Sequence, residues 1–191
     1  MNYKKYVGGK WEKIGKGQFD FAMKVGLKPY HKFLDIGCGS LRGGRFFIDY
    51  LDTSNYYGID HNKWLIDAGT KYELKSEDKQ KKPIFLVNRD FNFSLFRTNF
   101  DFVFASSLFT HLTKDKIKQC IKNLYLVTLP NVIFYASIFN GDSSKNLAKS
   151  HDNKRFRYSI DEIRQLSDKW KVEFSCYKYY SGQTMLKFTK V

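Results

Sequence analysis

The sequence predicts an α/β protein: a mostly parallel sheet with helices on both faces. Three observations predict it. Short apolar runs alternate with amphipathic stretches from residue 32 to residue 139, the order expected of strand–helix–strand units. The first run ends in a glycine-rich turn, Asp35-Ile36-Gly37-Cys38-Gly39, placed where open α/β sheets bind ligands, beyond the carboxyl end of a strand. Two last apolar runs flank Gly182 in the pattern of an antiparallel hairpin. The 191 residues are read as one domain, long enough to bury its own core.

Residues 1–27 form a basic, aromatic lead-in and then a helix carrying Ile14, Phe19, Phe21, Ala22, Met23 and Val25, stopped near Gly26 and Pro29. Residues 32–36 are a strand. Residues 45–51 are helical, with Phe46, Phe47, Tyr50 and Leu51 at core-like spacing. A second strand covers 56–60 and a second helix 63–74. The run KSEDKQKK at 75–82 reads as a charged surface connection. Strands at 84–87 and 100–104 follow, then a helix over 113–128 carrying Ile117, Cys120, Ile121, Leu124 and Leu126, and a strand at 132–138. Residues 140–157 are a polar, basic loop. Ser159 and Glu162 have capping-box spacing, opening a helix expected to run to about Trp170. Strands at 171–177 and 184–189 close the chain.

Composition narrows the function. The formal charge is +14, from 33 Lys and Arg against 19 Asp and Glu. Such a surface attracts phosphates, nucleotides, nucleic acid or acidic glycans, or it is a set of solvated lysines scattered along the chain. The three cysteines are unpatterned and form no C-x-x-C pair, so neither a disulfide framework nor a metal site is expected, and a reducing cytoplasm fits. Residues 1–10 hold no apolar signal region, and the apolar run near Val132 to Phe139 is too short to span a membrane.

The glycine turn carries the main chemical argument. Gly37 and Gly39 let backbone turn sharply and approach a ligand. Asp60, ending the second strand, is placed to accept from two ribose hydroxyls; capping the helix that begins near Asn62 is its alternative. Asp90 and Phe91, past the third strand, suit an adenine amine and ring, or else a plain surface loop. A dinucleotide site would want a third glycine where Arg42 stands. The acid heading the turn disfavours a pyrophosphate and suits a cationic amino acid, which selects S-adenosylmethionine.

Leu34 to Gly39 resembles the first motif of class I S-adenosylmethionine methyltransferases, and the acid ending the second strand and the closing strand pair are similar to that family too. The resemblance implies a Rossmann-like methyltransferase fold of seven strands in the order 3-2-1-4-5-7-6, strand 7 antiparallel. It implies that Asp35, Gly37, Cys38 and Gly39 hold the methionine end, Asp60 the ribose, and Asp90 and Phe91 the adenine, with His61 as a pocket wall and Ser106 at the methyl-facing end of the fourth strand. GCGSLRGG at 37–44 and SLFTHL at 107–112 are similar to a bacterial subgroup associated with glycan, capsule and small-molecule modification. Residues 1–27, with Tyr6-Val7-Gly8-Gly9 and Ile14-Gly15-x-x-Gln18, fit that subgroup's cap over the pocket. Tyr6 and Gln18 would then face substrate.

On the acceptor side there is no Asn/Asp-Pro-Pro-Tyr run, no cysteine beside a proline and no carboxylate cluster after the fourth strand. Base-amine methylation, carbon methylation of RNA and metal-assisted catechol chemistry are all disfavoured. His111 is the candidate general base; a ring that packs before the next helix is the alternative. His31 reads as structural. The 140–157 loop brings Lys145, Lys149, His151, Lys154, Arg155 and Arg157, whose guanidinium forks suit phosphate or carboxylate, or which are simply solvated. The expected function is O-methylation of an anionic small molecule or glycan precursor, such as a nucleotide-linked or phosphorylated sugar. RNA methylation and non-catalytic cofactor binding are the alternatives.

Overall fold

Four consecutive buried residues, Phe33–Ile36, make β1; a strand covered on both faces needs no polar alternation. A computed structural model describes residues 2–179 and 182–191. Met1, which opens the lead-in, and residues 180–181, in the expected closing turn, lie outside the described residues. The chain divides into two compact units, Met1–Arg89 and Asp90–Val191.

In the first unit, β2 (Tyr56–Asp60) lies between β1 and β3 (Ile84–Val87), parallel to both, with Phe33 opposite Tyr56 and Tyr57 opposite Ile84. Helices α3 (Gly44–Tyr50) and α4 (Lys63–Tyr72) follow β1 and β2. The rings of Phe33 and Phe47 meet at 4.5 Å, each such burial contributing about 1.5–3 kcal/mol. The lead-in differs from expectation. It holds a four-residue turn of helix, α1 (Tyr3–Tyr6), capped by the Asn2 side chain, and a longer helix α2 (Trp11–Lys24) that starts earlier than its apolar pattern suggests. The 75–82 run is not a plain connection but contains α5 (Ser76–Gln80). Its five residues lack any apolar period; the buried Asp78 carboxylate starts it by accepting the Lys75 N–H at 2.8 Å.

In the second unit, β4 (Phe100–Ala105) pairs in parallel with β5 (Thr128–Asn140), β5 runs antiparallel to β8 (Thr184–Lys190), and β8 antiparallel to β7 (Trp170–Phe174). Phe134 stacks on Phe188 at 4.3 Å, with Trp170 edge-on to both. Strand β5 begins earlier than the expected 132, because Thr128 pairs with Phe100 before the register shifts. Leu129, Pro130 and Asn131 stand exposed there, a bulge that tolerates a proline with no N–H to give. The helix after Ser159, α7 (Ile160–Gln165), is capped as expected, Glu162 and Ser159 bonding each other's backbone N–H. It stops short of Trp170, which starts β7 instead. Ser167 donates its hydroxyl back to the Ile163 carbonyl at 2.6 Å and ends the helix. Helix α6 (Lys114–Tyr125) buries the expected Ile117, Cys120, Ile121 and Leu124; Leu126, expected with them, falls past the helix end and is exposed.

The strand orders are β3-β2-β1 in one unit and β4-β5-β8-β7 in the other, the two halves of the expected order, with β8 as the expected antiparallel seventh strand. The fold is the Rossmann-like α/β arrangement. One further strand, β6 (Arg157–Tyr158), pairs in parallel with Phe139 and Asn140 at the end of β5.

Candidate active site

The bend after β1 is bolted to the end of β2. Gly37 and Gly39 have φ of 77° and 52°, left-handed values that strain any residue with a Cβ. Gly37 and Cys38 donate their N–H groups to the Ile59 carbonyl at 2.8 and 3.1 Å. Gly39 donates to Asp60 Oδ2 at 2.9 Å, while Asp60 Oδ1 accepts the Asn62 N–H at 2.8 Å. Asp60 therefore closes the glycine bend and turns the chain toward α4 through Asn62, the residue before the helix, without bonding a helical N–H. The bond to Gly39 has no signal in the sequence. His61 lies with Nδ1 3.5 Å from Asp60 Oδ1. The Cys38 thiol packs against β2, since a Cβ on Gly58 would sit 3.0 Å from its sulfur. Burial pushes that thiol well up, so Cys38 contributes its backbone to the bend rather than a nucleophile.

Asp35 is buried beneath the same bend. Burial pushes its carboxyl up to about 7, against a bond from Tyr56 and with help from the Asp60 charge. Tyr56 Oη donates to Asp35 Oδ2 at 2.8 Å. This partner, 21 residues away, carries no signal in the sequence beyond its place in a strand. The second glycine pair in GCGSLRGG has a packing reason. A Cβ on Gly44 would come 2.6 Å from Tyr56 Oη, and one on Gly43 would collide with the Gln18 amide. Gln18 is thus buried against the Gly43 backbone.

The lead-in reaches the same place. Arg42 Nη1 donates to the Val7 and Gly9 carbonyls at 2.7 and 3.2 Å, and a Cβ on Gly39 would meet Val7 at 3.5 Å. The Tyr6 ring is edge-on to Trp64 at 5.8 Å. Beyond it, Glu73 takes the Tyr3 hydroxyl at 2.5 Å, the Trp11 indole N–H at 3.0 Å and the Lys4 ammonium at 2.9 Å. Nothing in the sequence singles out Glu73, because its partners lie 62 and 70 positions away.

In the second unit, Asp90 and Phe91 form a tight turn with Phe91 at φ 53°. Asn123 on α6 donates to both carbonyls at 3.2 and 3.1 Å. The Phe91 ring is buried near Phe93, and the exposed Asp90 carboxylate lies 3.3 Å from Lys116 Nζ. After β4, the Ser106 hydroxyl is bonded to Tyr179 Oη. Ser107, at φ 60°, gives its N–H to Ser137 Oγ and meets the Gln183 amide.

His111 sits in a 3-10 turn, Phe109–His111, and the basic loop is built onto it. Its Nδ1 is 2.7 Å from the Lys154 carbonyl and 3.3 Å from that of His151. Carbonyls only accept, so Nδ1 carries the proton and Nε2 the lone pair. The His151 N–H donates to the His111 carbonyl at 3.0 Å, the Phe156 N–H to Thr110 at 2.8 Å, and Tyr158 Oη to Leu112 at 2.6 Å. The His151 ring accepts the Asn153 N–H at 3.0 Å. The guanidinium groups of Arg155 and Arg157 lie 5.3 and 5.9 Å from the Phe139 ring centre, and Arg157 also donates to the Asn140 carbonyl at 3.3 Å. His31, expected to be structural, accepts the Lys28 N–H at Nδ1, 3.2 Å away.

The donor set suits S-adenosylmethionine. Two glycines offer approachable backbone, and two carboxylates suit an ammonium and a diol. Ser40 Oγ, in the same bend, is buried without a hydrogen-bond partner among the described residues, a polar atom the chain itself does not satisfy. No group of three or more His, Cys, Asp or Glu able to hold a metal occurs among the described residues.

A family model described as a methyltransferase domain matches residues 34–134. The sterol 24-C-methyltransferase of Schizosaccharomyces pombe is 25% identical over 153 residues, covering 78% of this chain and 38% of that protein. Its Aspergillus fumigatus counterpart is 26% identical, with 65% and 32% covered. The chain thus spans about a third of the length of these curated relatives. Among solved structures, magnesium protoporphyrin IX methyltransferase from Synechocystis PCC 6803 with bound S-adenosylhomocysteine gives a TM-score of 0.69 at 12% identity, covering 99% of this chain and 92% of that one. A glycopeptide N-methyltransferase complexed with the same molecule gives 0.71 at 13% identity, with 94% and 90% covered. At such identities the likeness is one of fold.

Proposed function

This chain belongs to the methyltransferase-domain family and is an S-adenosylmethionine-dependent methyltransferase; from that premise we propose that it methylates an oxygen of an anionic small molecule or glycan precursor. A phosphorylated or nucleotide-linked sugar, of the kind used in polysaccharide or capsule synthesis, is the acceptor class. The observation that carries this reading is the docking of the basic 140–157 loop on His111, with Arg155 and Arg157 flanking Phe139. The chain is taken as one methyltransferase domain, 1–191, acting in the cytoplasm. No helix among the described residues is long and apolar enough to cross a membrane.

When bound, S-adenosylmethionine supplies an electrophilic methyl on a sulfonium. Asp35, Gly37 and Gly39 would hold its amino-acid end. Asp60 would hold the ribose, since a carboxylate at the end of the second strand is an acceptor suited to a diol. Asp90 and Phe91 would hold the adenine. On the acceptor side, His111 removes the hydroxyl proton at Nε2. The resulting imidazolium is stabilised by the Lys154 and His151 carbonyls facing Nδ1. Arg155 and Arg157 hold the acceptor's anionic group, bidentately where it is a phosphate.

Known relatives do not narrow the acceptor, since their names span sterol, porphyrin and glycopeptide. The test is methyl transfer from labelled S-adenosylmethionine to a panel of sugar phosphates and nucleotide sugars, beside structured RNA. Turnover on the sugars at ordinary salt supports the proposal. Labelling of RNA alone, with a steep salt dependence, would replace it with the second reading that the +14 charge favours.

A further inference from the structure

Residues 2–10 sit beside the glycine bend without the means that usually hold a segment down. Helix α1 has four residues and buries none of them, far below the length at which a helix stands alone. After it the backbone turns through three left-handed residues, Gly8, Gly9 and Lys10, at φ 90°, 61° and 45°. A Cβ on Gly9 would meet nothing within 4 Å, so its backbone turns in open space. Short left-handed glycine runs absorb hinge motion. Polar bonds and a few ring contacts, Tyr3 on Tyr72 and Trp11, and Tyr6 on Trp64, hold the segment. Tyr3 and Lys4, before the hinge, and Trp11, after it, all end on the Glu73 carboxylate, whose side chain is only 5% exposed. Arg42, three residues past Gly39, holds the Val7 and Gly9 carbonyls, and Val7 rests on Gly39. The burial of Glu73 is matched by its donors: burial pushes its carboxyl up, but the bonds from Tyr3, Lys4 and Trp11 outweigh that and hold it below the usual range.

Resting on the methyl-donor reading above, we propose that residues 2–10 are a hinged strap across the glycine bend. Glu73 is the positioning residue that latches it and so sets how long the donor and its demethylated product stay bound. A carboxylate with two neutral donors, the Lys4 ammonium and, at 3.9 Å, the Arg45 guanidinium suits this duty. It holds the strap through a few directional bonds, which break together, where an apolar core would hold it for good.

The test uses the whole chain with Glu73→Gln and, separately, Tyr3→Phe, which deletes one donor and leaves Glu73 in place. Dissociation of S-adenosylhomocysteine is followed by stopped-flow tryptophan fluorescence, with Trp11 and Trp64 as the reporters. Trypsin nicking after Lys4, Lys5 and Lys10 is followed with and without that ligand. Roughly ten- to hundredfold faster dissociation is expected for Glu73→Gln, the scale of a lost bond to a charged group, with a smaller increase for Tyr3→Phe. Nicking should quicken in both while the urea midpoint of Tyr3→Phe stays near the parent's. Should Glu73→Gln fail to fold, Tyr3→Phe decides alone. Parent-like dissociation and parent-like nicking would overturn the latch. If the parent binds neither donor nor product, the donor reading falls, and nicking without ligand still decides the latch: faster in the variants for it, unchanged against it.

Discussion

Residues 2–10 of the first unit and residues 141–156 of the second both lie outside the main strands, yet their bonds are distributed differently. The lead-in ends on side chains, chiefly Glu73 and Arg42. The basic loop is tied at many separate points, by backbone (His151 N–H to His111, Phe156 N–H to Thr110) and by side chains, with Ser143 on Glu162, Asn146 on Arg157, Ser150 on Thr113 and the Lys154 carbonyl on the His111 ring. Bonds gathered on one carboxylate can be undone by one substitution. Bonds spread over backbone and several side chains survive most single substitutions. The first arrangement suits the strap proposed above; the second suits a segment that stays put while its exposed side chains meet the proposed acceptor.

The largest effect that could break this comparison is at His111, the residue where the loop's backbone meets a side chain. His111→Ala should lower turnover about 10²–10⁴-fold as the proton acceptor is lost. If saturating acceptor restores normal turnover, His111 is an anchor of the loop and nothing more. Next is Asp60→Ala, which removes the partner of two backbone N–H groups as well as the ribose acid. Calorimetry should show donor binding weakened by about 1–3 kcal/mol; an unchanged dissociation constant would leave Asp60 a purely local brace.

A pH experiment separates the units further. Asp35 has its carboxyl raised to about 7 in the folded chain against an ordinary 3.8. The folded state therefore holds this proton more tightly than the unfolded chain does. The contribution to stability is complete below about 3.8 and is lost as pH rises through about 7. An ammonium ligand needs the ionised form, so donor affinity should fall as pH drops below about 7, by up to about tenfold per unit. Urea melts and calorimetry of Asp35→Asn should show both trends flattened; a parent-like pH profile in that variant rules out the ion pair. The smallest effect belongs to the loop. Tyr158→Phe deletes one bond to the Leu112 carbonyl, worth about 0.5–1.5 kcal/mol. It should raise KM for the acceptor a few-fold with kcat nearly intact, and a loop still held at its other points should resist trypsin as before.

Most of the sheet is legible in the sequence because its strands are buried runs and its helices amphipathic. The elements that escape have no apolar period to read: α5, made of SEDKQ, and β6, two residues long. At the site, Gly37, Gly39 and Asp60 are legible because their spacing is local. Tyr56 beneath Asp35, Asn123 under Asp90 and Phe91, and Glu73 under the lead-in are not, since each acts across 20 residues or more. Arg42 is visible only as a missing third glycine; that it grips the lead-in carbonyls depends on where the chain returns. Likewise His111 stands out as an imidazole soon after the fourth strand, while the carbonyls facing its Nδ1 carry no residue identity at all.

The short pairing of Arg157 and Tyr158 with Phe139 and Asn140 has an evolutionary consequence. It brings the two ends of the excursion to one place on the scaffold, so what lies between behaves as an exchangeable cassette. Closing a longer excursion between the same ends adds only about 0.6 kcal/mol per doubling of length. On the proposed reading of the loop, descendants of this gene would trade acceptors by rewriting that insert, leaving the proposed donor grip untouched.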